Sequence, residues 1–173
     1  MKLGLFGGSF NPVHAGHVRV AEAAAAKYGL EKVLVVPAKT SPFKTDGSTA
    51  FFSDEARWRL VCAACAGHPL LEPCDVELRR GGVSYSVDTV KWALERHPGC
   101  ELHFIVGEDS VAGLPRWRNW EELRRLAKFV SFPRTPESST EIRRRLAAGE
   151  DLGDWESDAV KAEMARLAAE GRR

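Results

Sequence analysis

The sequence predicts an α/β fold, a doubly wound parallel sheet with helices on both faces. Three observations carry the prediction. Short apolar runs at 3–6, 33–36, 102–106 and 129–132 have the length, and mostly the unbroken hydrophobicity, of strands covered on both sides. Helical segments alternate with them, and a strand-helix-strand order implies parallel pairing with right-handed crossovers. Glycine or proline follows the first three runs directly, at Gly7-Gly8, Pro37 and Gly107. Turns at strand carboxyl ends are where open α/β sheets hold ligands.

The elements follow in order. A strand at 3–6 leads through Gly7 and Gly8 to an alanine-rich helix over 15–28, closed by Gly29. A β-branched run at 33–36 is the second strand. Residues 38–52 have no period and read as a long surface loop carrying Lys39 and Lys44. Ser53-Asp-Glu caps and charges the start of a helix running to about residue 66. Residues 70–79 alternate well enough for a strand, and Gly81-Gly82 ends it. A helix then runs from about Thr89 to His97. Strand 102–106, a helix within 117–126 and strand 129–132 come next. Ser138-Ser-Thr-Glu caps a further helix, Gly149 stops it, and an alanine-rich, weakly amphipathic helix covers 158–169. There is no repeat or linker, so the expectation is one domain over residues 1–173.

Bulk properties narrow the function. A net charge of +1 argues against a dedicated nucleic-acid binder. No apolar run reaches membrane-spanning length and the start of the chain is not a secretory signal, so a cytoplasmic location is expected. Cys62 and Cys65 invite a metal or redox reading with His68, but they fall in an apolar helix, where cysteine is more often a small core residue. Neither GxGxxG nor the Walker phosphate loop is present.

Chemistry concentrates in residues 1–17. Gly7 and Gly8 let bare backbone approach a ligand, and the start of the following helix offers free N–H groups to an anion. His14 and His17 share one helical face. Two histidines are too few for a zinc site, so phosphate is the better reading and no protein-held metal is expected.

The stretch Gly8-Ser-Phe-Asn-Pro-Val-His-Ala-Gly-His17 resembles the (H/T)xGH signature of the nucleotidylyltransferase superfamily, in the long form seen in bacterial nicotinate-mononucleotide adenylyltransferases. Further motifs, in the same order, extend the resemblance across residues 1–149. Pro37-Ala-Lys-Thr-Ser-Pro-Phe-Lys44 is similar to the family's loop ending PHK, with Phe43 in place of histidine. Val76-Glu-Leu-Arg-Arg-Gly-Gly-Val-Ser-Tyr-Ser-Val-Asp-Thr89 is similar to its SYTxDT stretch, with Ser86 in place of threonine. Phe104-Ile-Val-Gly-Glu-Asp-Ser110, Leu114-Pro-Arg-Trp-Arg-Asn-Trp120 and Ser138-Ser-Thr-Glu-Ile-Arg143 match three more. The chain departs from the family in a short segment, 133–137, before Ser138, and in a tail without the usual pattern.

The resemblance implies a Rossmann-like nucleotidylyltransferase fold and transfer of AMP from ATP to nicotinate mononucleotide, giving deamido-NAD and pyrophosphate, with Mg2+ accompanying ATP. It implies ATP contacts from Gly7, Gly8, Ser9, Phe10, His14, His17, Gly107, Ser138, Ser139, Thr140 and Arg143. It implies acceptor contacts from Lys44, Tyr85, Ser86, Asp88, Thr89, Asp109, Trp117 and Arg118. His14, His17, Lys44 and Arg143 would carry the catalysis. A related transferase with another phosphate acceptor, or a degenerate nucleotide-binding module, stays open. So does packing of the last helix on its own sheet or on a second copy in a homo-oligomer.

Overall fold

A computed structural model describes residues 1–43 and 51–172. Five parallel strands form one sheet: β1 (Lys2–Gly8), β2 (Lys32–Pro37), β3 (Leu71–Pro73), β4 (Glu101–Gly107) and β5 (Lys128–Phe132). Their spatial order is β3-β2-β1-β4-β5, with the reversal between β1 and β4. Such a reversal opens a crevice at the carboxyl edge of the sheet. Gly8 pairs with Pro37, and Gly107 with Phe132, so the glycine ends meet at that edge.

Side-chain alternation divides the core into two layers. Leu3 and Leu5 of β1, Leu34 and Val36 of β2, and Leu102, Phe104 and Val106 of β4 face one side. They pack there on α4 (Ser86–Arg96) and α6 (Trp120–Leu126) through Val87, Val90, Ala93 and Leu123. Phe6, Val33, Val35, Ile105 and Val130 face the other side, against α1 (Ala15–Tyr28), α2 (Asp54–Cys65) and α7 (Ser139–Ala148). Burying apolar residues on both faces is why these strands read as continuous runs rather than alternating ones.

Helix limits follow their caps. Gly29 and Gly149 adopt left-handed φ values of 64° and 69° at the ends of α1 and α7. Ser53, Ser138 and Ser157 accept first-turn amide hydrogen bonds at the starts of α2, α7 and α8 (Asp158–Ala169). The helix α8 packs on α2 within its own chain, burying Val160, Met164 and Leu167. Arg59 of α2 reaches Glu170 at 2.7 Å, just beyond α8.

One predicted strand is corrected. Residues 70–79 yield only the three residues of β3, followed by a short helix α3 (Val76–Arg80). Pro73 has no N–H to extend the ladder, and Cys74 makes a further bond to Val35 O at 2.9 Å. Asp75 then accepts from Arg79 Nε at 2.6 Å, stabilising a helical turn that carries Glu77 inward. The remaining helix, α5 (Glu108–Val111), follows β4 directly. Among the described residues no helix is long and apolar enough to cross a membrane.

Candidate active site

Two hollows open side by side at the carboxyl edge of the sheet, sharing Phe6 and Gly107. One, of about 480 Å³, is lined by His14, Gly16, His17, residues 132–140 and Arg143. The other, of about 650 Å³, is lined by Gly7, Gly8, Ser9, Phe43, Glu77, Tyr85, Ser86, Trp117 and Arg118, among others.

The smaller hollow is built from two helix starts. His14 caps α1, and the two histidines bond reciprocally. The His14 N–H donates to His17 Nδ1 at 3.1 Å, and the His17 N–H donates to His14 Nδ1 at 3.3 Å. With both Nδ1 atoms accepting, a neutral ring carries its proton on Nε2. The rings stack, with centroids 3.6 Å apart. Burial holds His14 at about 4, and burial together with the neighbouring His14 holds His17 well below the usual histidine value. Both are therefore neutral Nε2–H donors at pH 7, not cations. Phe10, buried and at φ 43°, closes the back of the pair with its ring edge-on to His17 at 4.9 Å.

The second helix start is docked onto the turn after β1. Ser139 Oγ donates to Pro12 O at 2.8 Å, and Arg143 Nη1 donates to Asn11 O at 2.8 Å. Arg143 Nη2 also donates to Thr140 Oγ1 at 3.2 Å. These bonds bring the start of α7 up to the turn before α1, and the first turns of both helices line the hollow with the histidines, an arrangement suited to polyanions.

The short segment 133–137 forms the outer wall. A Cβ on Gly16 would lie 2.1 Å from Thr135 Oγ1 and 2.8 Å from Glu137 Oε2, so only glycine fits beneath it. Glu137 is paired with Arg19, and Arg134 bonds Asp109 with 2.6 Å and 2.8 Å contacts. Asp109 folds back over Gly107, where a Cβ would meet its Oδ1 at 2.7 Å. Residues 133–137 thus form a short strap along the hollow.

The larger hollow is aromatic. Trp117 stands edge-on to Phe104 and Phe129, at 5.6 and 6.0 Å, and leaves a face to the hollow. Exposed Phe43 approaches it at 6.3 Å. Trp120, half-buried like Trp117, packs on Phe129. Tyr85 precedes α4 in an extended conformation without a side-chain cap, and its carbonyl accepts from the Asp88 N–H at 3.1 Å, which leaves the amides before Asp88 uncapped.

The sequence-predicted residues are distributed unevenly. His14, His17, Ser138, Ser139, Thr140, Arg143 and Gly107 line the smaller hollow. Gly7, Gly8 and Ser9 line the larger one, and Gly107 touches both. Tyr85, Ser86, Trp117 and Arg118 line the larger hollow as well. Asp88 is exposed and Thr89 fully buried, and neither lines a hollow. Thr89 instead donates to Glu77 Oε1 at 2.5 Å and accepts from Arg80 Nη2 at 2.9 Å. Lys44 lies outside the described residues.

Two supporting residues had no role in the sequence reading. Glu77 is buried at the floor of the larger hollow, where burial raises its carboxyl above the usual range. Buried Arg57 donates through Nη1 to Ser9 O and Ala38 O, both at 2.7 Å, tying the β1 and β2 ends together. The cysteines are free thiols, and burial pushes Cys65 up to about 12. No cluster of three or more His, Cys, Asp or Glu able to hold a metal occurs among the described residues.

The cytidylyltransferase-like family model matches residues 5–145, most of the chain and both helix starts. The chain belongs to that family. A relative from Maridesulfovibrio salexigens, named "Probable nicotinate-nucleotide adenylyltransferase", is 42% identical over 78% of this chain and 61% of its own length. One of the same name from Trichlorobacter lovleyi is 40% identical, covering 84% of this chain and 68% of its own length. A third, from Shouchella clausii, is 35% identical over 92% of each. The chain thus spans less than two thirds of the first of these relatives. Among solved structures, a Plasmodium falciparum nicotinic acid mononucleotide adenylyltransferase complexed with NaAD superimposes with a TM-score of 0.73. The identity is 17%, over 99% of this chain and 98% of that one. A structure from Vibrio parahaemolyticus reaches 0.76 at 22% identity, over 99% and 94%. These two likenesses establish the fold of the family.

Proposed function

We propose that this protein transfers the AMP moiety of ATP to nicotinate mononucleotide, forming deamido-NAD and pyrophosphate. The observation that carries the reading is the pair of hollows meeting at Phe6 and Gly107, one lined by anion donors and the other by aromatic rings. A dinucleotide product has that same division. The names of the relatives point to the same reaction.

The reaction needs no covalent enzyme intermediate. An oxygen of the acceptor phosphate attacks the α-phosphorus of ATP in line, and pyrophosphate leaves. The protein holds two anions together and stabilises the charge that develops. The Nε2–H groups of His14 and His17 donate to phosphate oxygens, and neutral donors add no cation that would need solvation in a buried site. The α7 start, with Ser138, Ser139, Thr140 and Arg143, holds the rest of the triphosphate. Gly7, Gly8 and Ser9 let the acceptor phosphate come close, and Lys44 is a further phosphate contact. Trp117 stacks on the pyridine ring, while amides at Tyr85 and Ser86 receive its carboxylate. The resemblance carries Asp109 over as the residue beside the ligand ribose, although here it is bonded to Arg134.

The donors lining the smaller hollow are N–H, hydroxyl and guanidinium groups; its one lining carboxylate, Glu137, is held by Arg19, and Asp109, which lines neither hollow, is held by Arg134. Among the described residues no free carboxylate lines this hollow, so Mg2+ would enter with ATP and would supply neutralisation of phosphate charge. We place the protein in the cytoplasm, as one domain, with no nucleic-acid or membrane partner. The test is pyrophosphate release from ATP with a panel of acceptors: nicotinate mononucleotide, nicotinamide mononucleotide and phosphopantetheine. Release with the first supports the reading. Release only with phosphopantetheine, or ATP binding without release, overturns it.

A further inference from the structure

The larger hollow carries positive charge that pairs with no carboxylate among the described residues. Arg116 and Arg118 both line it, and among the described residues neither has a carboxylate within ion-pair distance. The neighbouring arginines differ. Arg124 and Arg134 are committed to Glu121 and Asp109 at 2.7 and 2.6 Å. The one carboxylate lining the hollow, Glu77, is taken by Thr89 at 2.5 Å.

Arg118 is also held in place. Its guanidinium carbon lies 4.4 Å from the Tyr85 ring centroid. A guanidinium over a ring face keeps N–H groups free for an anion, with less side-chain freedom to lose on pairing. Through Tyr85 it leans on the residue before α4, and through the chain it adjoins Trp117, so one side chain bridges two walls of the hollow. A guanidinium resting over one ring and next to the Trp117 platform matches a planar acid carried on an aromatic ring. A carboxamide has the same shape but no charge, and it presents N–H groups to N–H groups on one of its two sides.

We propose that Arg118 is a specificity-determining residue that selects a ring carboxylate over a ring carboxamide on the acceptor. The inference rests on the pyridine-mononucleotide reading above and adds the residue that sets the preference. The acceptor's phosphate is a second anion that Arg118 could meet. Nicotinate and nicotinamide mononucleotides share that phosphate, so comparing them separates the two roles.

The experiment measures kcat/KM for both mononucleotides, at saturating ATP, with the wild-type chain, Arg118→Met and Arg118→Lys. The KM for ATP is followed throughout as the control for folding. A charge-assisted pair is strong enough that Arg118→Met should lower the acid-to-amide preference by about ten- to hundredfold. Arg118→Lys should keep part of it, since charge remains but the fork is lost. An equal loss for both acceptors, or an unchanged ratio, overturns the inference and assigns Arg118 to the phosphate or to packing. Wild-type turnover of neither mononucleotide overturns the underlying reading as well.

Discussion

The two hollows lie side by side at one sheet edge, yet they are built by different means. The larger is a side-chain construction. Trp117, Phe104 and Phe129 brace one another, so the ring platform stands without a ligand. The smaller is largely a backbone construction. The starts of α1 and α7 supply the donors, and a histidine pair locked by its own capping bonds completes them. The first suits recognition of a flat ring, which needs apolar area. The second suits phosphates, which need aimed N–H groups. A two-substrate enzyme built this way should lose its two halves independently.

His17→Ala should break the phosphate half with the largest effect. It removes one aimed Nε2–H and the reciprocal cap, and kcat should fall by roughly 10²–10³-fold. The KM for the pyridine acceptor should move little, and circular dichroism should stay native. Trp117→Ala should break the ring half, raising the KM for the acceptor by about ten- to hundredfold, in line with the loss of one stacking face. The KM for ATP should stay within about twofold in steady-state assays. Gly16→Ala sharpens the contrast, because its Cβ would collide with Thr135 and displace the strap. ATP affinity should weaken about tenfold by calorimetry, with a stability cost of about 1–3 kcal/mol.

The smallest expected effect lies behind the smaller hollow. Glu156 is buried with neither carboxylate oxygen bonded, and burial pushes it up to about 9. Its folded value exceeds the unfolded one near 4.5, so the folded chain holds an extra proton between these limits. Stability from this group is present at low pH and is lost as pH rises through that window. His14 has the opposite sign. Its folded value of about 4 lies below 6.5, so its contribution is lost as pH falls from about 6.5 to 4. Glu156→Gln should raise stability by about 1–3 kcal/mol at pH 8 and much less at pH 5, measured by denaturant unfolding at both.

Much of the frame was legible because it is local. The helix ends at Gly29, Ser53, Ser138 and Gly149 are single-residue signals, and each falls where a cap is observed. Doubly buried strands announce themselves as unbroken runs. The strand expected at 70–79 failed because Val76-Glu-Leu alternates like a strand, while Asp75 and the burial of Glu77 against Thr89 make it a helical turn. That contact spans twelve residues and leaves no periodic trace. Arg57 was hidden for the same reason, since its partners are the carbonyls of Ser9 and Ala38. Thr89 belonged to a recognised motif, yet it serves Glu77 from within the core. The motif order pointed to strand ends and helix starts, whereas the assignment of residues to one hollow or the other needed the fold.

The central claim is that the hollows are separate binding halves of one transfer site. The most direct measurement is isothermal titration of a non-hydrolysable ATP analogue and of nicotinate mononucleotide, each alone, into wild-type, His17→Ala and Trp117→Ala protein. The account predicts a crossed result: His17→Ala loses the nucleotide triphosphate and keeps the mononucleotide, and Trp117→Ala does the reverse. Parallel loss of both ligands in either variant, or retention of both in both, would contradict it.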